Sequence, residues 1–291
     1  FPMPAHPHFL VLATCDTKGE EGAWIRARIQ ALGATGRLVD VGICGPAKGK
    51  PDISAEEVCP QVKSFSSLSR GEGVDQMADS VATWIQSHQE GLLGVIAIGG
   101  SAGTTIGCQA MRALPNAIPK VMISTLASGD VSPFVQGQEI SMLDPLVDVA
   151  GINRISRQAF DEGIAELFSL AKMSASFPDS EYLDEKPLVA ASMFGVTTPC
   201  VDEARRIIEK EGYEMLVFHA TGAGGRNMEK FIRQGHIVGV LDFTTTEGAD
   251  EIVGGGLSAG SSRLTAAGNC GVPQVVSAGA TDMVNFWEQD T

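Results

Sequence analysis

The sequence predicts an α/β protein with two domains, each built on a mostly parallel sheet flanked by helices. Short apolar runs, typical of buried strands, alternate along the 291 residues with stretches whose apolar residues recur at helical spacing. Hydrophobic residues make up 44% of the chain but aromatic residues only 6%, so the cores depend on aliphatic side chains, as in parallel sheets covered on both faces. Because strands and helices alternate, right-handed crossovers are expected to join parallel strands.

The first half of the chain shows this alternation most clearly. Strands are predicted at 9–14, 38–43, 93–98 and 118–124, and helices at 20–32, 72–89, 104–114 and 157–171. In the helix at 72–89, Val74, Met77, Ala78 and Val81 follow i, i+3, i+4 spacing, which places them on one face. Residues 44–70 are rich in Pro, Ser and Lys, and we predict a loop with little regular structure there.

The second half repeats the rhythm after a polar, acidic stretch. Residues 174–187 are predicted to be a linker between an N-terminal domain at 1–173 and a C-terminal domain at 188–291. Strands are predicted at 188–194, 214–218, 237–242 and 274–277, and helices at 199–211, 225–234, 246–253 and 261–268. Each domain is therefore predicted to be Rossmann-like.

Charge, cysteines and hydropathy exclude several classes of protein. The net charge of −14 repels nucleic acid and anionic lipid surfaces, and no basic block is interleaved with aromatic residues. The six cysteines are scattered without zinc spacing and are expected to be free thiols in a reducing compartment. No apolar run reaches the ~20 residues that span a membrane, and the first residues lack the pattern of a signal peptide. We therefore expect a cytoplasmic protein that binds neither nucleic acid nor membrane.

Small polar residues follow six of the predicted strands, at the carboxyl edge where parallel sheets bind ligands. Glycine lets the backbone approach a ligand closely, and helix N-termini rich in Ser and Thr receive phosphate. One such loop is ordinary turn chemistry, but six together indicate a cleft that accepts phosphate, although none matches the P-loop or the G-x-G-x-x-G pattern. The predicted nucleotide contacts are Thr14, Asp16, Thr17, Gly99, Gly100, Ser101, Gly103, Thr104, Thr125, Ser128, Gly129, Thr197, Thr198, Gly222, Gly224, Gly225, Arg226 and Thr245.

Acid–base and metal roles have fewer candidates. Asp242 and Glu247 follow a strand, where a carboxylate serves as a metal ligand or a general base, and His219 ends another strand as an acid or base. The alternative is that Glu247 occupies a first helical turn, where negative charge is favoured, and that His219 is a hydrogen-bonded structural residue. Cys200, at a predicted helix start, is the weaker candidate for a nucleophile.

Together these motifs resemble an ATP-binding domain family, the one typified by the plant tomato-mosaic-virus resistance protein and its bacterial and fungal relatives. The resemblance is carried by runs such as Gly99-Gly100-Ser101-Ala102-Gly103-Thr104. The matching stretches lie at 13–18, 70–73, 98–104, 118–129, 149–153, 193–200, 217–226, 241–247 and 279–286.

The resemblance implies two α/β domains, binding of ATP and Mg²⁺, and a homodimer. It also implies that some members associate with a TIM-barrel protein resembling phosphoenolpyruvate hydrolases, whereas the plant member inhibits a virus by binding a replication protein. Relatives continue beyond the motif at 282–286, so the C-terminal domain is expected to lack its last elements.

Three functional hypotheses are consistent with these patterns. The leading one is an ATP-dependent enzyme, or a subunit of one, that acts on a small metabolite in a cleft between the domains. The second is a non-catalytic binding module that uses nucleotide to stabilise a dimer. The third is a nucleotide-independent lyase or hydrolase of a small organic acid, with Arg226 holding the carboxylate.

Overall fold

The computed structural model describes residues 6–176 and 186–286, and the chain divides into two compact units, Phe1–Glu181 and Tyr182–Thr291. Each unit contains a parallel β-sheet with helices on its faces. This arrangement confirms the predicted α/β class. The predicted linker at 174–187 falls mostly on 177–185, outside the described residues, while 174–176 form the end of a helix.

The sheet of the first unit has five strands, with the first strand between the second and the third. The strands are β1 (His8–Ala13), β2 (Gly36–Asp40), β3 (Leu92–Gly99), β4 (Lys120–Ser124) and β5 (Ser141–Leu143). Their order is β2-β1-β3-β4-β5, and every neighbouring pair is parallel. All carboxyl ends therefore meet at one edge, where the loops after β1, β3 and β4 lie.

Helices cover both faces of this sheet. They are α1 (Cys15–Ala31), α2 (Ala55–Val58), α3 (Arg70–Ser87), α4 (Ser101–Arg112), α5 (Ser132–Val135) and α6 (Arg154–Ser176). Side chains alternate along β1, so that Leu10 joins the core beneath α3 and α4, whereas Val11 joins the core beneath α1 and α6. Because both faces are buried, β1 is apolar at nearly every position rather than alternating with polar residues.

The segment at 44–70 is not the irregular loop that we predicted. It contains α2 and a 3-10 helix over Pro60–Ser67. Helices α2 and α3 each begin at a capping box: the Ser54 and Ser69 hydroxyls accept from the Glu57 and Glu72 amides, both at 3.3 Å. Helix α2 and the 3-10 helix are too short to show hydrophobic periodicity, so the prediction missed them. The S-x-x-E motifs at the starts of α2 and α3 were nevertheless recognisable in the sequence.

The second unit has a four-stranded sheet with related topology. Its strands are β6 (Leu188–Met193), β7 (Glu214–His219), β8 (Ile237–Thr244) and β9 (Gln274–Gly279), in the order β7-β6-β8-β9 and all parallel. Its helices are α7 (Thr198–Lys210), α8 (Ala223–Arg233), α9 (Thr246–Val253) and α10 (Ala266–Cys270). The helix predicted at 261–268 is wrong in its first half, because residues 261–264 form a turn and α10 begins only at Ala266.

Among the described residues, no helix combines the length and the apolar character needed to cross a membrane.

Candidate functional site

Each sheet contains one topological switch point, where crossovers leave the first strand in opposite directions. In the first sheet it lies between β1 and β3, and in the second between β6 and β8. Ligands of open parallel sheets bind outside the carboxyl ends of the strands at such points. The predicted glycine- and threonine-rich loops fall at or beside these two places, so their geometry decides what each can bind.

The N-terminus of α4, at the first switch point, presents backbone amides that have no partner among residues 6–176 and 186–286. Gly100 is the N-cap and provides no side-chain cap. Within the part of the chain that the structure describes, the amides of Ser101, Ala102 and Gly103 make no hydrogen bond, whereas the Thr104 amide closes the first turn onto the Gly100 carbonyl at 2.9 Å. These three N–H groups lie at the positive end of the helix dipole, the usual geometry of an anion site.

Glycines allow α4 to begin directly against β3. A Cβ at Gly99 would lie 2.7 Å from the Gly103 Cα, and a Cβ at Gly103 would lie 2.9 Å from the Ile98 carbonyl oxygen. Larger residues would separate the helix from the strand. Gly100 is different, because only the Thr125 hydroxyl, at 3.6 Å, lies near the position of its Cβ. Two glycines therefore serve packing, and the third leaves open space in front of the amides.

The hydroxyls predicted to contact phosphate after β3 and β4 have unequal access. Thr104 is buried, and its hydroxyl lies 2.6 Å from that of Ser124 and 2.7 Å from the Gly100 carbonyl oxygen. It therefore fixes the turn rather than facing a ligand. Ser128 and Gly129 are exposed, while the Thr125 amide donates to the Gly99 carbonyl at 3.3 Å and ties the two loops together.

The acidic residue of the β1 loop holds a neighbouring loop in place. The Asp16 carboxylate accepts from the amides of Ile43, at 3.2 Å, and Cys44, at 2.8 Å. Thr14 is the N-cap of α1, and its hydroxyl lies 3.0 Å from that of Thr17. These contacts support a structural role for Asp16. Thr14 and Thr17 lie at the first switch point, and their predicted contact with nucleotide stays a prediction.

A pocket of about 930 Å³ lies beside this edge, beyond the end of β2. Part of its lining comes from residues 54–70, within the segment that the sequence analysis predicted to be a loop. Asp40, at the end of β2, is buried there and its carboxylate accepts from the Gly42 amide at 2.7 Å and the Cys15 amide at 3.0 Å. Burial raises the pKa of Asp40, and the two amides only partly offset this effect.

The glycine-rich loop of the second unit already holds an anion, and that anion belongs to the protein. The Glu247 carboxylate accepts from the amides of Gly222, at 2.7 Å, and Gly225, at 3.0 Å, at the N-terminus of α8. A Cβ at Gly225 would lie 2.2 Å from this carboxylate, and a Cβ at Gly224 would lie 1.8 Å from the His219 carbonyl oxygen. The Gly222 and Gly225 amides therefore already have an acceptor within the protein, and their predicted contacts with phosphate stay predictions.

Glu247 belongs to a buried ionic cluster centred on Arg263. The Arg263 guanidinium donates to both oxygens of Asp242, at 2.7 and 2.6 Å, and to Glu247 at 2.7 Å, and it lies 3.6 Å from Glu229. Asp242 also accepts from Ser192 at 2.7 Å. Burial by itself lowers the pKa of Arg263, but hydrogen bonds and charges from Asp242 and Glu247 outweigh it and raise the pKa, so the guanidinium stays charged.

The contacts within this cluster favour a structural role for Asp242 and Glu247, and their predicted catalytic and metal roles stay predictions. Both carboxylates are buried and bonded to Arg263, and nowhere in 6–176 or 186–286 do three or more His, Cys, Asp or Glu side chains form a group that could hold a metal. In this structure both carboxylates are ion-pair partners of Arg263. Sequence reasoning did not single out Arg263, because a lone arginine in a polar turn carries no local signal.

The remaining predicted residues of the second unit contact neighbouring elements. The Thr197 hydroxyl lies 2.6 Å from the Thr244 hydroxyl, and the Thr245 hydroxyl donates to the Ser277 carbonyl at 2.9 Å. The Thr198 hydroxyl donates to the Phe194 carbonyl at 3.3 Å, and Arg226 donates to the Ser258 carbonyl at 2.8 Å.

The His219 ring is edge-on to Phe194 with centroids 5.5 Å apart, and its predicted acid–base role stays a prediction.

Two family models together match nearly the whole chain. The N-terminal domain of the Uncharacterised protein family (UPF0261) matches residues 7–176, and the C-terminal domain of the same family matches residues 186–291.

Individual relatives extend this similarity. A UPF0261 protein of Clostridium tetani (strain Massachusetts / E88) is 47% identical over 291 residues, which cover 97% of this chain and 70% of that protein. The ToMV resistance protein Tm-1(GCR237) of Solanum lycopersicum is 43% identical over 225 residues, or 76% of this chain and 30% of that protein. Among solved structures, MurG of Acinetobacter baumannii aligns with a TM-score of 0.30 and 11% identity over 81% of this chain and 73% of its own. This similarity is too weak to support an inference about function.

Proposed function

We propose that this chain, which belongs to the UPF0261 family, is an ATP-binding protein whose phosphate site is the N-terminus of α4. Binding would serve an enzyme, or a subunit of one, that acts on a small metabolite. The observation that carries the proposal is the row of three unpaired amides at Ser101, Ala102 and Gly103, beside the switch point between β1 and β3.

The surroundings of these amides favour an anion. Among the described residues, no acidic side chain caps α4, and Asp16, which follows the adjacent strand, is bonded to the Ile43 and Cys44 amides. A net charge of −14 does not exclude binding, because backbone amides can hold phosphate at short range where the helix dipole is concentrated. In a nucleotide complex, Mg²⁺ would be held largely by the phosphates and water, with few protein ligands.

The proposed site is tested by Ser101→Glu. Ser101 is exposed at the first position of α4, where the helix dipole stabilises a carboxylate, so the variant should keep the stability of the wild type. The new charge would compete with phosphate for the same amides. We expect calorimetry with ATP and Mg²⁺ to show binding to the wild type and at least about tenfold weaker binding to the variant, a loss of ~1.4 kcal/mol.

Ser169→Glu provides the matched control, because it adds the same charge to an exposed position within α6. It should leave the affinity for ATP unchanged. Absence of heat with millimolar ATP in the wild type would refute nucleotide binding. Equal weakening by the two substitutions would show that net charge, rather than the α4 amides, governs the affinity.

A second candidate, a non-catalytic module that nucleotide stabilises, is favoured by the state of the predicted catalytic acids. Asp242 and Glu247 are bonded to Arg263 and buried, so neither is free to activate water. Under this alternative, ATP binds but phosphate release by the wild type matches that of Ser101→Glu. The homodimer and the association with a TIM-barrel protein stay predictions of the family resemblance.

A further inference from the structure

The pocket beyond β2 is lined by both apolar and polar side chains. It encloses about 930 Å³, within the range of small-molecule sites, and it lies entirely within the first unit. Ile43, Val62, Phe65 and Leu68 contribute its apolar lining. Since an apolar body would leave water on entering such a space, the shape suits a compact organic molecule rather than a bare inorganic ion.

Of the four charged residues that line the pocket, three have hydrogen-bond or ion-pair partners. Asp40 is bonded to backbone amides, and Lys63 lies 2.9 Å from Glu56. Arg70, the first residue of α3, is exposed, and none of the described residues forms an ion pair or a side-chain hydrogen bond with it. Arg70 therefore offers a ligand a guanidinium with no ion-pair partner among the described residues, and its planar donor fork suits a carboxylate or a phosphate.

Glu72, two residues after Arg70 in the helix, is engaged in the capping box. The Glu72 carboxylate accepts from the Ser69 amide at 2.8 Å and from the Ser69 hydroxyl at 2.7 Å. These hydrogen bonds lower the pKa of Glu72, so it stays ionised and engaged in the cap. The capping box thus fixes the start of α3 and leaves the Arg70 guanidinium available for a ligand.

Internal hydrogen bonds also hold the pocket-lining residues at 42–44 and at the start of α2. Asp16 holds the Ile43 and Cys44 amides, and the Gly42 amide is held by Asp40. A second capping box, between Ser54 and Glu57, fixes the start of α2. Because the walls are ordered by internal hydrogen bonds, little ordering entropy opposes binding.

We propose that this pocket is a binding site for a small organic anion, with its apolar or aromatic body against Phe65 and its carboxylate or phosphate on Arg70. The inference does not depend on the nucleotide site. The sequence analysis assigned carboxylate binding to Arg226, and this proposal assigns it to Arg70 instead. Arg226 donates to the Ser258 carbonyl, whereas Arg70 has no partner among the described residues.

Naphthoate and naphthamide test the proposal, since they share an aromatic body and differ in charge. Calorimetry with the whole chain should show that naphthoate binds and that naphthamide binds at least about tenfold more weakly, the difference expected for loss of a charge-assisted pair. Arg70→Gln should weaken naphthoate by a similar factor, and Arg70→Lys should fall between Gln and the wild type. Equal affinities for the acid and the amide would overturn the proposal.

Arg154→Gln is the matched control, because Arg154 is also exposed and is the first residue of a helix, α6. It should leave naphthoate binding unchanged, as should Ser101→Glu. Hydrogen exchange should show naphthoate protecting amides within 42–47 and 60–73. Protection confined to 99–105, or equal loss in Arg70→Gln and Arg154→Gln, would refute the site, whatever the affinity for ATP.

Discussion

The Arg263 cluster permits a quantitative test of what holds the second unit together. Arg263 is 8% exposed, while Asp242 and Glu247 are 0% and 1% exposed, and three hydrogen bonds of 2.6–2.7 Å join them. In Arg263→Met the guanidinium is lost, which leaves two buried carboxylates without a counter-charge. Removing one partner of a buried pair costs about 3–5 kcal/mol, a large share of the ~5–15 kcal/mol that stabilises an ordinary domain.

The structure places the expected loss near the lower end of that range. Glu247 would keep its hydrogen bonds from the Gly222 and Gly225 amides, and Asp242 would keep its bond from Ser192. These donors offset part of the desolvation of the carboxylates. We therefore expect the free energy of unfolding of the second unit to fall by about 3 kcal/mol.

Urea unfolding followed by hydrogen exchange and mass spectrometry can separate the two units. Amides of β6–β9 should lose protection at lower urea in Arg263→Met, while amides of β1–β4 keep the wild-type midpoint. Adding Asp242→Asn and Glu247→Gln should recover most of the loss, because an uncharged network no longer needs the guanidinium. A loss under about 1 kcal/mol, or no recovery in the triple variant, would refute the reasoning.

Three further predictions follow from individual contacts. Gly225→Ala should destabilise the second unit by about 1–3 kcal/mol in urea, because its Cβ would meet the Glu247 carboxylate, whereas Gly248→Ala, with nothing within 4 Å, should be neutral or stabilising. Burial raises the pKa of Asp40, so the stability that its protonated form provides is full below about pH 4 and is lost as the pH rises through the folded-state pKa. Asp40→Asn should therefore reduce the dependence of the urea midpoint on pH. Equal dependence of the midpoint on pH in the variant and the wild type would contradict this expectation. Thiol titration of the native protein should label the exposed cysteines and spare the buried ones until denaturant is added, and labelling of all six under native conditions would contradict the fold. The exposed cysteines are Cys44, Cys200 and Cys270, and the buried ones are Cys15, Cys59 and Cys108.

The sequence was sufficient for the fold class because the signal for it is local. Buried parallel strands are continuous apolar runs, and helices such as α9, predicted at 246–253 and observed at Thr246–Val253, follow a polar strand-end turn. The alternation of the two also predicted which loops share the carboxyl edge of each sheet. Segment 44–70 was missed because α2 and the 3-10 helix are too short to show a period.

Interpretation of the glycine loops depended on contacts that local pattern does not contain. A Gly-rich turn at a helix start shows that amides are available for an anion, but not whether a ligand or the protein supplies it. At α8 the anion is Glu247, which lies beyond the next strand in the sequence. Arg263, which neutralises it, lies further along the chain, so only the tertiary structure reveals the pairing.

The two glycine-rich helix starts therefore inform each other. At α8 the fold buries a carboxylate to satisfy the Gly222 and Gly225 amides, and it places an arginine beneath that carboxylate to offset its desolvation. The amides of Ser101, Ala102 and Gly103 likewise follow a strand and lie at the positive end of a helix dipole, in this case that of α4. No described side chain accepts a hydrogen bond from them. The electrostatic preference for an anion is the same at both helix starts, and this comparison is the reason that we propose the nucleotide site in the first unit rather than in the second.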